Sequence, residues 1–424
     1  MTDAGTSFDS VSAAAGPVAR GSVARVGLAT AITAVCGYAV LYLAARRLEP
    51  AGFSVFGVFW GAFGLVAGAA NGLLQESTRE VRAAQSGGAV SATPASGSRT
   101  RPMWVAAGVG VLAAVLISGT SPLWAPHVFA EQRPLSVALL SFGLAGFCLH
   151  ATLLGMLAGD GRWSHYGTLM VTDAVIRVAV AVTAFLLGWG LVGFLWATVA
   201  GAVAWLLVLA GSATARSVAQ LHTAGGVSIF LRGAAHSIAA AGASAILVMG
   251  FPVLLKATSG ELGAAGGVVI LAVTLTRAPL LVPMTAMQGN LIAYFVDHRG
   301  ARLRALLAPA AVVGALGAVG VVAAYLIGPW LLQAAFGADY RTSGVLLAWL
   351  TAAAVSIALL TLTGAATVAA ALHRAYSIGW VGATAAATLL LCLPLSLETR
   401  TIVALLCGPL VGIAVHLAAL SQGR

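Results

Sequence analysis

Charged residues are scarce in this chain of 424 residues: they make up 8% of it, against 60% hydrophobic residues. Soluble domains carry about 25% charged residues, so this scarcity excludes the soluble fold classes. Metal-binding and disulfide patterns are also lacking, because the four cysteines lie inside apolar runs and no two histidines have metal-ligand spacing. We therefore expect an all-helical polytopic membrane protein with no metal, cofactor or disulfide.

Enzyme signatures are lacking too. The sequence contains no Walker A motif and no GxSxG motif, and its outer segments hold no acidic pair of the kind a membrane glycosyltransferase needs. Those outer segments are also short, which leaves little room for a catalytic domain. We therefore predict that the chain is not an enzyme and has no catalytic residues, and transport or flipping becomes the default class of function.

Lysine is nearly absent, since Lys256 is the only one, and arginine supplies almost all of the positive charge. A formal net charge of +10 would suggest nucleic acid as a partner of a soluble protein. In a membrane protein the same excess is typical of cytoplasmic loops, which are enriched in arginine and lysine. We therefore expect no nucleic-acid partner.

Long apolar runs, by contrast, are abundant, and about twelve of them can cross a bilayer as helices. Their approximate bounds are 26–45, 52–74, 103–125, 135–158, 168–187, 191–212, 236–255, 263–296, 306–332, 345–372, 377–395 and 401–420. A polar break near the middle predicts four regions, which are a cytoplasmic tail (1–25), an N-lobe (26–212), an inter-lobe linker (213–235) and a C-lobe (236–424).

The arginine bias predicts the orientation. With both termini in the cytosol, 14 of the 22 lysine and arginine residues fall inside, six fall outside and two lie within spans. The second span also carries glycines at the spacing that lets membrane helices approach closely, namely Gly57, Gly61, Gly64 and Gly68.

Arg277 is the residue that fits an apolar span least. It lies about 14 residues into the eighth span, roughly 21 Å along a helix axis and near the middle of the membrane. A charge at that depth costs at least about 2.5–3.5 kcal/mol. The structural interpretation is an arginine that snorkels or pairs; the functional one is an arginine facing a wet cavity that receives an anionic group. Pro279 and Pro283 follow, and we expect them to break the helical ladder there.

Asp173 and Arg177 lie four residues apart in the fifth span and therefore share one helix face. An internal ion pair is the structural interpretation. The functional one is that Asp173 titrates or that Arg177 binds substrate, although a neighbouring arginine favours the ionised carboxylate and makes a poor proton shuttle.

Three further residues are candidate substrate contacts. Gln288 and Asn290 lie near the cytoplasmic end of the eighth span, where they would bind sugar hydroxyls or hold helices together. Arg25 lies at the cytoplasmic end of the first span, where it sets the topology or helps to hold an anionic group.

Two segments carry a family resemblance: LAARRLEPAGFSVFGVFWGAFGLVAGAANGLLQESTREV, residues 43–81, and TRAPLLVP, residues 276–283. The first resembles the opening hairpin of bacterial polysaccharide biosynthesis proteins, in which a first span ends in arginine and a Leu-Gly-Pro-like turn follows. Here Glu49 stands where glycine is usual. These proteins are oligosaccharide-lipid flippases of the multidrug/oligosaccharidyl-lipid/polysaccharide (MOP) exporter superfamily.

The resemblance implies two six-helix lobes around a cavity that accepts the pyrophosphate-sugar head group of a polyprenyl lipid. Arg277 would hold that head group, with Arg177 and Arg25 helping. The implied setting is the bacterial plasma membrane, and the implied partners are a lipid-linked glycan, membrane lipids and glycosyltransferases or a polymerase of the same pathway. The alternatives are a multidrug or metabolite antiporter of the same fold and a non-transporting scaffold for glycan assembly. Related drug exporters carry an acidic residue in the first span, which this chain lacks.

Overall fold

The computed structural model describes residues 20–87, 99–224, 226–298 and 301–422. Fourteen α-helices account for most of these residues: α1 (Arg20–Gly87), α2 (Pro102–Val128), α3 (Arg133–Gly159), α4 (Trp163–Leu187), α5 (Gly190–Ala200), α6 (Ala204–Gly211), α7 (Ala213–Ala219), α8 (Val227–Val248), α9 (Phe251–Ser259), α10 (Gly263–Asp297), α11 (Arg302–Phe336), α12 (Gly344–Ala369), α13 (His373–Leu391) and α14 (Leu397–Gln422). Two-residue strands β1 (Arg99–Thr100) and β2 (Thr223–Ala224) pair antiparallel.

α1 contains two spans rather than one. Its backbone leaves helical geometry at Glu49, where φ is 56° and ψ is 171°, directly before Pro50. Both outer parts of α1 then meet the same turn, because Arg25 donates to the Ser164 hydroxyl and Gln85 donates to the Asp160 carboxylate. α1 is therefore a hairpin, and its two ends lie at the same end of the bundle.

The all-helical polytopic architecture is confirmed. In the described part of the chain, ten helices are long and apolar enough to span a membrane, and the first of these is the α1 hairpin. The sixth predicted span is α5 and α6 joined by a 3₁₀ turn (Gly201–Val203), and the seventh is α8 followed by α9. α13 supplies the eleventh predicted span.

Some predicted boundaries differ from the structure. α8 begins at Val227, inside the segment predicted as an inter-lobe linker, because this stretch packs against the first half of the chain. Pro279 and Pro283 do not interrupt α10, so the predicted break there was wrong. The break lies one span earlier, between α8 and α9. There α8 ends at Val248, and Gly250 and Pro252 lie at the start of α9.

Buried side chains place the two lobes in contact at one end of the bundle. Near Glu49 one core contains residues of both lobes, such as Phe53 of α1 with Leu255 of α9 and Tyr340 of the α11–α12 loop. Towards the opposite end, which we call the Gln85 end, this shared core does not continue. One core there groups Val81 with residues of the N-lobe and the linker, another is built only from C-lobe residues, and a third packs the beginning of α8 against N-lobe helices.

The glycines of the second span face helices of the C-lobe, and their spacing had predicted a close approach of helices. A Cβ atom on Gly57 would lie 2.8 Å from the Ile270 side chain, and one on Gly68 would lie 2.6 Å from the Ala245 Cβ. Both distances are shorter than real Cβ contacts, so an alanine at either position would force the second half of α1 or its neighbour, α10 or α8, to shift.

Candidate functional site

Arg277 lies in α10 beside the break between α8 and α9. Its side chain is buried, and Nη1 donates to the carbonyl oxygen of Val248, the last residue of α8, at 3.1 Å. The guanidinium carbon lies 5.2 Å from the ring centroid of Phe251, the first residue of α9. A cation at a helix C-terminus and over an aromatic face is stabilised electrostatically. Arg277 therefore caps the broken end of α8.

The other edge of the Arg277 guanidinium has no partner. Nε and Nη2 are buried and donate to none of the described residues. Among those residues no carboxylate forms a salt bridge with Arg277 either. Unpartnered buried donors on a charged group are costly, whereas an anionic ligand with two oxygens would satisfy both. The prediction that Arg277 receives an anionic group remains a prediction, and this edge is where it would do so.

Asp173 and Arg177 form the ion pair that their spacing predicted. Nη2 of Arg177 lies 3.0 Å from a carboxylate oxygen of Asp173 and forms the salt bridge. Nε donates hydrogen bonds to both carboxylate oxygens. Nη1 donates to the carbonyl oxygen of Thr198, just before the 3₁₀ turn, and the guanidinium lies over the Phe63 ring. Every nitrogen of Arg177 therefore has a partner within the protein.

The two arginines lie at one level of the bundle, on opposite sides of the contact between the lobes. Phe63, under Arg177, is followed in the chain by Gly64, whose position faces the Met249 side chain at 3.2 Å. Met249 directly follows Val248, the acceptor for Arg277. The structure thus places both charges near the middle of the contact between the lobes.

The other predicted contacts lie away from this level. Arg25 is exposed at the Gln85 end and donates to the Ser164 hydroxyl at 3.0 Å. Asn290 lies on an exposed face in the last part of α10, about 20 Å along the helix from Arg277. Gln288 lies in the same part of α10, and its side chain is outside the described part of the structure. The site residues are therefore not gathered into one cluster.

Two further buried polar residues were not among the predicted substrate contacts. His150 of α3 stacks on Phe147 and lies within electrostatic range of the Asp173–Arg177 pair. Glu76 is 2% exposed and accepts two hydrogen bonds from Arg79. Its carboxylate lies where a side chain at Gly233 of α8 would have to be, so only glycine fits there. Burial between helices from distant parts of the chain leaves no signal in sequence spacing.

Tyr340 ties the lobes together near Glu49. Its hydroxyl donates to the Ala45 carbonyl oxygen at 3.0 Å, and its ring meets Phe53 edge to face. Burial, followed by the nearby carboxylates of Asp339 and Glu49, raises the pKa of Tyr340 above its ordinary value, so the hydroxyl remains a donor throughout the physiological range.

Comparison with known sequences gives close relatives. The chain is 69% identical over 420 residues to the uncharacterized protein Rv3630 of Mycobacterium tuberculosis (strain ATCC 25618 / H37Rv), covering 99% of this chain and 96% of the relative. It is 67% identical over 422 residues to the uncharacterized protein Rv1510 of the same strain, and this match covers 100% of this chain and 96% of the relative. The chain belongs to this mycobacterial family. No protein-family model matches it.

Solved structures give the fold of this mycobacterial family. An inward-facing multidrug resistance MATE family transporter of the MOP superfamily is similar with a TM-score of 0.69 and 16% identity, covering 95% of this chain and 98% of that one. An outward-facing multidrug resistance MATE family transporter of the MOP superfamily is similar with a TM-score of 0.60 and 14% identity, and the match covers 95% of this chain and 96% of that one. A third similar structure is that of a MOP superfamily transporter from Pyrococcus furiosus, whose binding pocket has reverse polarity. Its TM-score is 0.59 and its identity 15%, and the match covers 95% of this chain and 96% of that one. The chain therefore has the MATE fold.

Proposed function

We propose that this protein translocates a polyprenyl-linked oligosaccharide across the bacterial plasma membrane by alternating access, and that Arg277 holds the anionic head group. The observation that carries the proposal is the edge of the Arg277 guanidinium, Nε and Nη2, which is buried and has no acceptor among the described residues. Two parallel N–H groups match two phosphate oxygens, and a phosphate bound there would supply the counter-charge that Arg277 lacks.

The other candidates take narrower roles in this proposal. Arg177 is occupied by Asp173 and supports the N-lobe wall of the site. Arg25, exposed at the Gln85 end, gives the head group its first cationic contact on entry. Asn290, and with it Gln288, would meet sugar hydroxyls on the part of α10 between Arg277 and that end.

Packing supports alternating access. The lobes share a core near Glu49, whereas towards the Gln85 end α10, α11, α12 and α14 form a core of their own while α8 packs against the N-lobe. With the orientation predicted from arginine bias, the Gln85 end is cytoplasmic, so this arrangement is the one that accepts substrate from the cytosol. Discontinuous helices with their free carbonyls near the middle of the bilayer are also typical of transporter binding sites.

A multidrug or metabolite antiporter is the main alternative. The transporters of similar fold include a multidrug resistance transporter. Another of these transporters, from Pyrococcus furiosus, has a binding pocket of reverse polarity, which suggests a different function for that protein. In this chain the antiporter would need Asp173 to exchange a cation, and both nitrogens of Arg177 nearest to it, Nε and Nη2, already donate to that carboxylate. We therefore favour the anionic substrate. A non-transporting scaffold is the remaining alternative.

The test is a leaflet assay for lipid-linked glycan in vesicles from a deletion strain. The strain carries wild type, Arg277→Gln, Arg400→Gln or an empty vector. Arg400 is the matched control, because it too contacts backbone carbonyls and has a buried Nε without a described partner, but it lies near the Glu49 end. We expect glycan to cross with wild type and Arg400→Gln only, because a neutral side chain cannot hold a phosphate.

Three other outcomes decide against parts of the proposal. Equal leaflet distributions with wild type and empty vector would show that the protein does not move this lipid. Crossing with Arg277→Gln at the wild-type rate would remove Arg277 from the site. Drug efflux that requires Asp173 but not Arg277 would establish the antiporter instead.

A further inference from the structure

His416 of α14 is fully buried inside the C-lobe, among helices that do not contribute to the site around Arg277. Its imidazole occupies a slot opened by a glycine, because a side chain on Gly379 of α13 would collide with the ring. The ring lies parallel to Tyr376 of α13, with an interplanar angle of 3° and centroids 6.2 Å apart.

Both ring nitrogens of His416 face oxygen atoms. Nε2 lies 3.3 Å from the backbone carbonyl oxygen of Tyr376, and Nδ1 lies 3.0 Å from the Thr363 hydroxyl of α12. A carbonyl oxygen only accepts, so Nε2 carries a hydrogen in either protonation state of the ring. The Thr363 hydroxyl therefore decides whether Nδ1 can also be protonated.

The Thr363 hydroxyl can serve both states because it has two partners. It lies 3.1 Å from the Leu360 carbonyl oxygen as well as 3.0 Å from Nδ1. With neutral imidazole the hydroxyl donates to Nδ1. After proton uptake Nδ1–H donates to the hydroxyl oxygen, and the hydroxyl turns its own hydrogen to Leu360. In each protonation state, therefore, both ring nitrogens of His416 have a hydrogen-bond partner.

The slot lies near one end of the bundle. His416 lies six residues before the end of α14, about 9 Å along the helix, and Tyr376 lies three residues after the start of α13. Both helix ends are at the Gln85 end. Of the titratable groups on the neighbouring helices, Tyr376 is the one against the ring, and no charged side chain in the described residues contacts it. A proton taken up here changes the local charge from zero to +1.

The slot also lies beside the helix that joins the lobes. The Tyr376 side chain lies next to Ser244 of α8. The beginning of α8, with Phe230 and Ala234, packs into an N-lobe core. A charge on His416 therefore changes the C-lobe surface against which α8 packs.

We propose that His416, Thr363 and the Tyr376 carbonyl form a proton-binding site, and that the proton bound there couples the C-lobe to translocation. One proton from the aqueous phase at the Gln85 end adds to Nδ1 and leaves by the same nitrogen, with no other bond made or broken. The binding site stands on its geometry alone; its role in transport rests on the proposed function.

The experiment is ¹⁵N NMR of the full chain in lipid nanodiscs, with labelled histidine, between about pH 4.5 and pH 9. The chain has eight histidines, and His416→Gln assigns the resonance. Thr363→Val removes the acceptor for a protonated Nδ1. Thr361→Val is the matched control, since that hydroxyl lies on the same helix and donates to the Ile357 carbonyl.

We expect His416 to change from the Nε2–H tautomer to imidazolium as the pH falls. The midpoint should move down by at least about one pH unit in Thr363→Val, a tenfold loss of proton affinity, and should not move in Thr361→Val. A ring that stays neutral at the lowest pH, or an equal effect of the two threonine variants, would overturn the site.

The coupling role is read separately, in the leaflet assay with an imposed pH gradient. The gradient should change the crossing rate with wild type and not with His416→Gln, and an equal response would overturn the coupling. Absence of crossing with wild type would instead refute the proposed function and leave the NMR result standing.

Discussion

The two arginines in the middle of the bundle use the same contacts but differ in their balance of charge. Arg177 and Arg277 each donate to a carbonyl where a helix is interrupted, and each covers a phenylalanine ring. Among the described residues Arg177 has a carboxylate partner, which accepts from its remaining nitrogens, whereas Nε and Nη2 of Arg277 have no acceptor. The charge of Arg177 is thus balanced within the protein, and that of Arg277 has no counter-charge in the described part of the chain.

This difference separates structural from functional roles more sharply than burial does. Both side chains are largely shielded from solvent, and both would be ranked alike as intramembrane charges. Counting donors and acceptors distinguishes them, because a buried donor without an acceptor has a cost that a ligand can remove. Three predictions break or sharpen the comparison, beginning with the largest effect.

Asp173→Asn should destabilise the protein strongly, by about 3–5 kcal/mol, because it leaves the buried Arg177 charge without its partner. Arg277→Gln is the comparison variant and should lower stability little or raise it, since it removes a buried charge that has no counter-ion. The measurement is thermal unfolding in detergent or nanodiscs. Equal losses in the two variants would mean that the charges are balanced alike and would remove the basis for assigning them different roles.

Gly201→Ala should cost about 1–3 kcal/mol, because the new methyl group would meet the Asp173 carboxylate and lie 2.7 Å from the Arg177 Nε. Gly211→Ala, in the same span with nothing within 4 Å of its added Cβ, is the control and should be tolerated. Thermal unfolding of the pair measures the effect. A tolerated alanine at both positions would show that the ion pair is not tightly packed against the 3₁₀ turn.

Arg25→Gln should have the smallest effect on stability, with no measurable shift of the unfolding midpoint, because its contact with Ser164 is exposed. If Arg25 gives the head group its entry contact, the variant should slow crossing in the leaflet assay a few-fold without abolishing it. If Arg25→Gln abolished crossing as completely as Arg277→Gln, the main contact with the anionic head group would have to be assigned to the Gln85 end and not to the middle of the bundle.

The sequence already predicted much of the architecture. Composition and the apolar runs indicated a polytopic helical protein, and the i,i+4 spacing of Asp173 and Arg177 predicted their pairing correctly. The glycine spacing of the second span predicted its close approach to other helices. These features depend on neighbours within one helix or on the thickness of the bilayer, both of which can be read along the chain.

Predictions failed where the outcome depended on contacts between helices. Prolines in α10 were expected to break the helix, but each removes a single N–H, and α10 remains continuous. The break between α8 and α9 was missed, as was the burial of Glu76 against α8.

The sequence by itself determined that the protein spans a membrane many times, that Arg277 lies deep within a span, and that Arg177 has a carboxylate on its own helix face. Only the tertiary structure decided that Arg277 caps the end of α8 with one edge free, and that His416 lies between two oxygen atoms. The reason is that spacing along the chain fixes which side chains share a helix face, whereas the partners of a buried charge come from other helices and depend on how these pack.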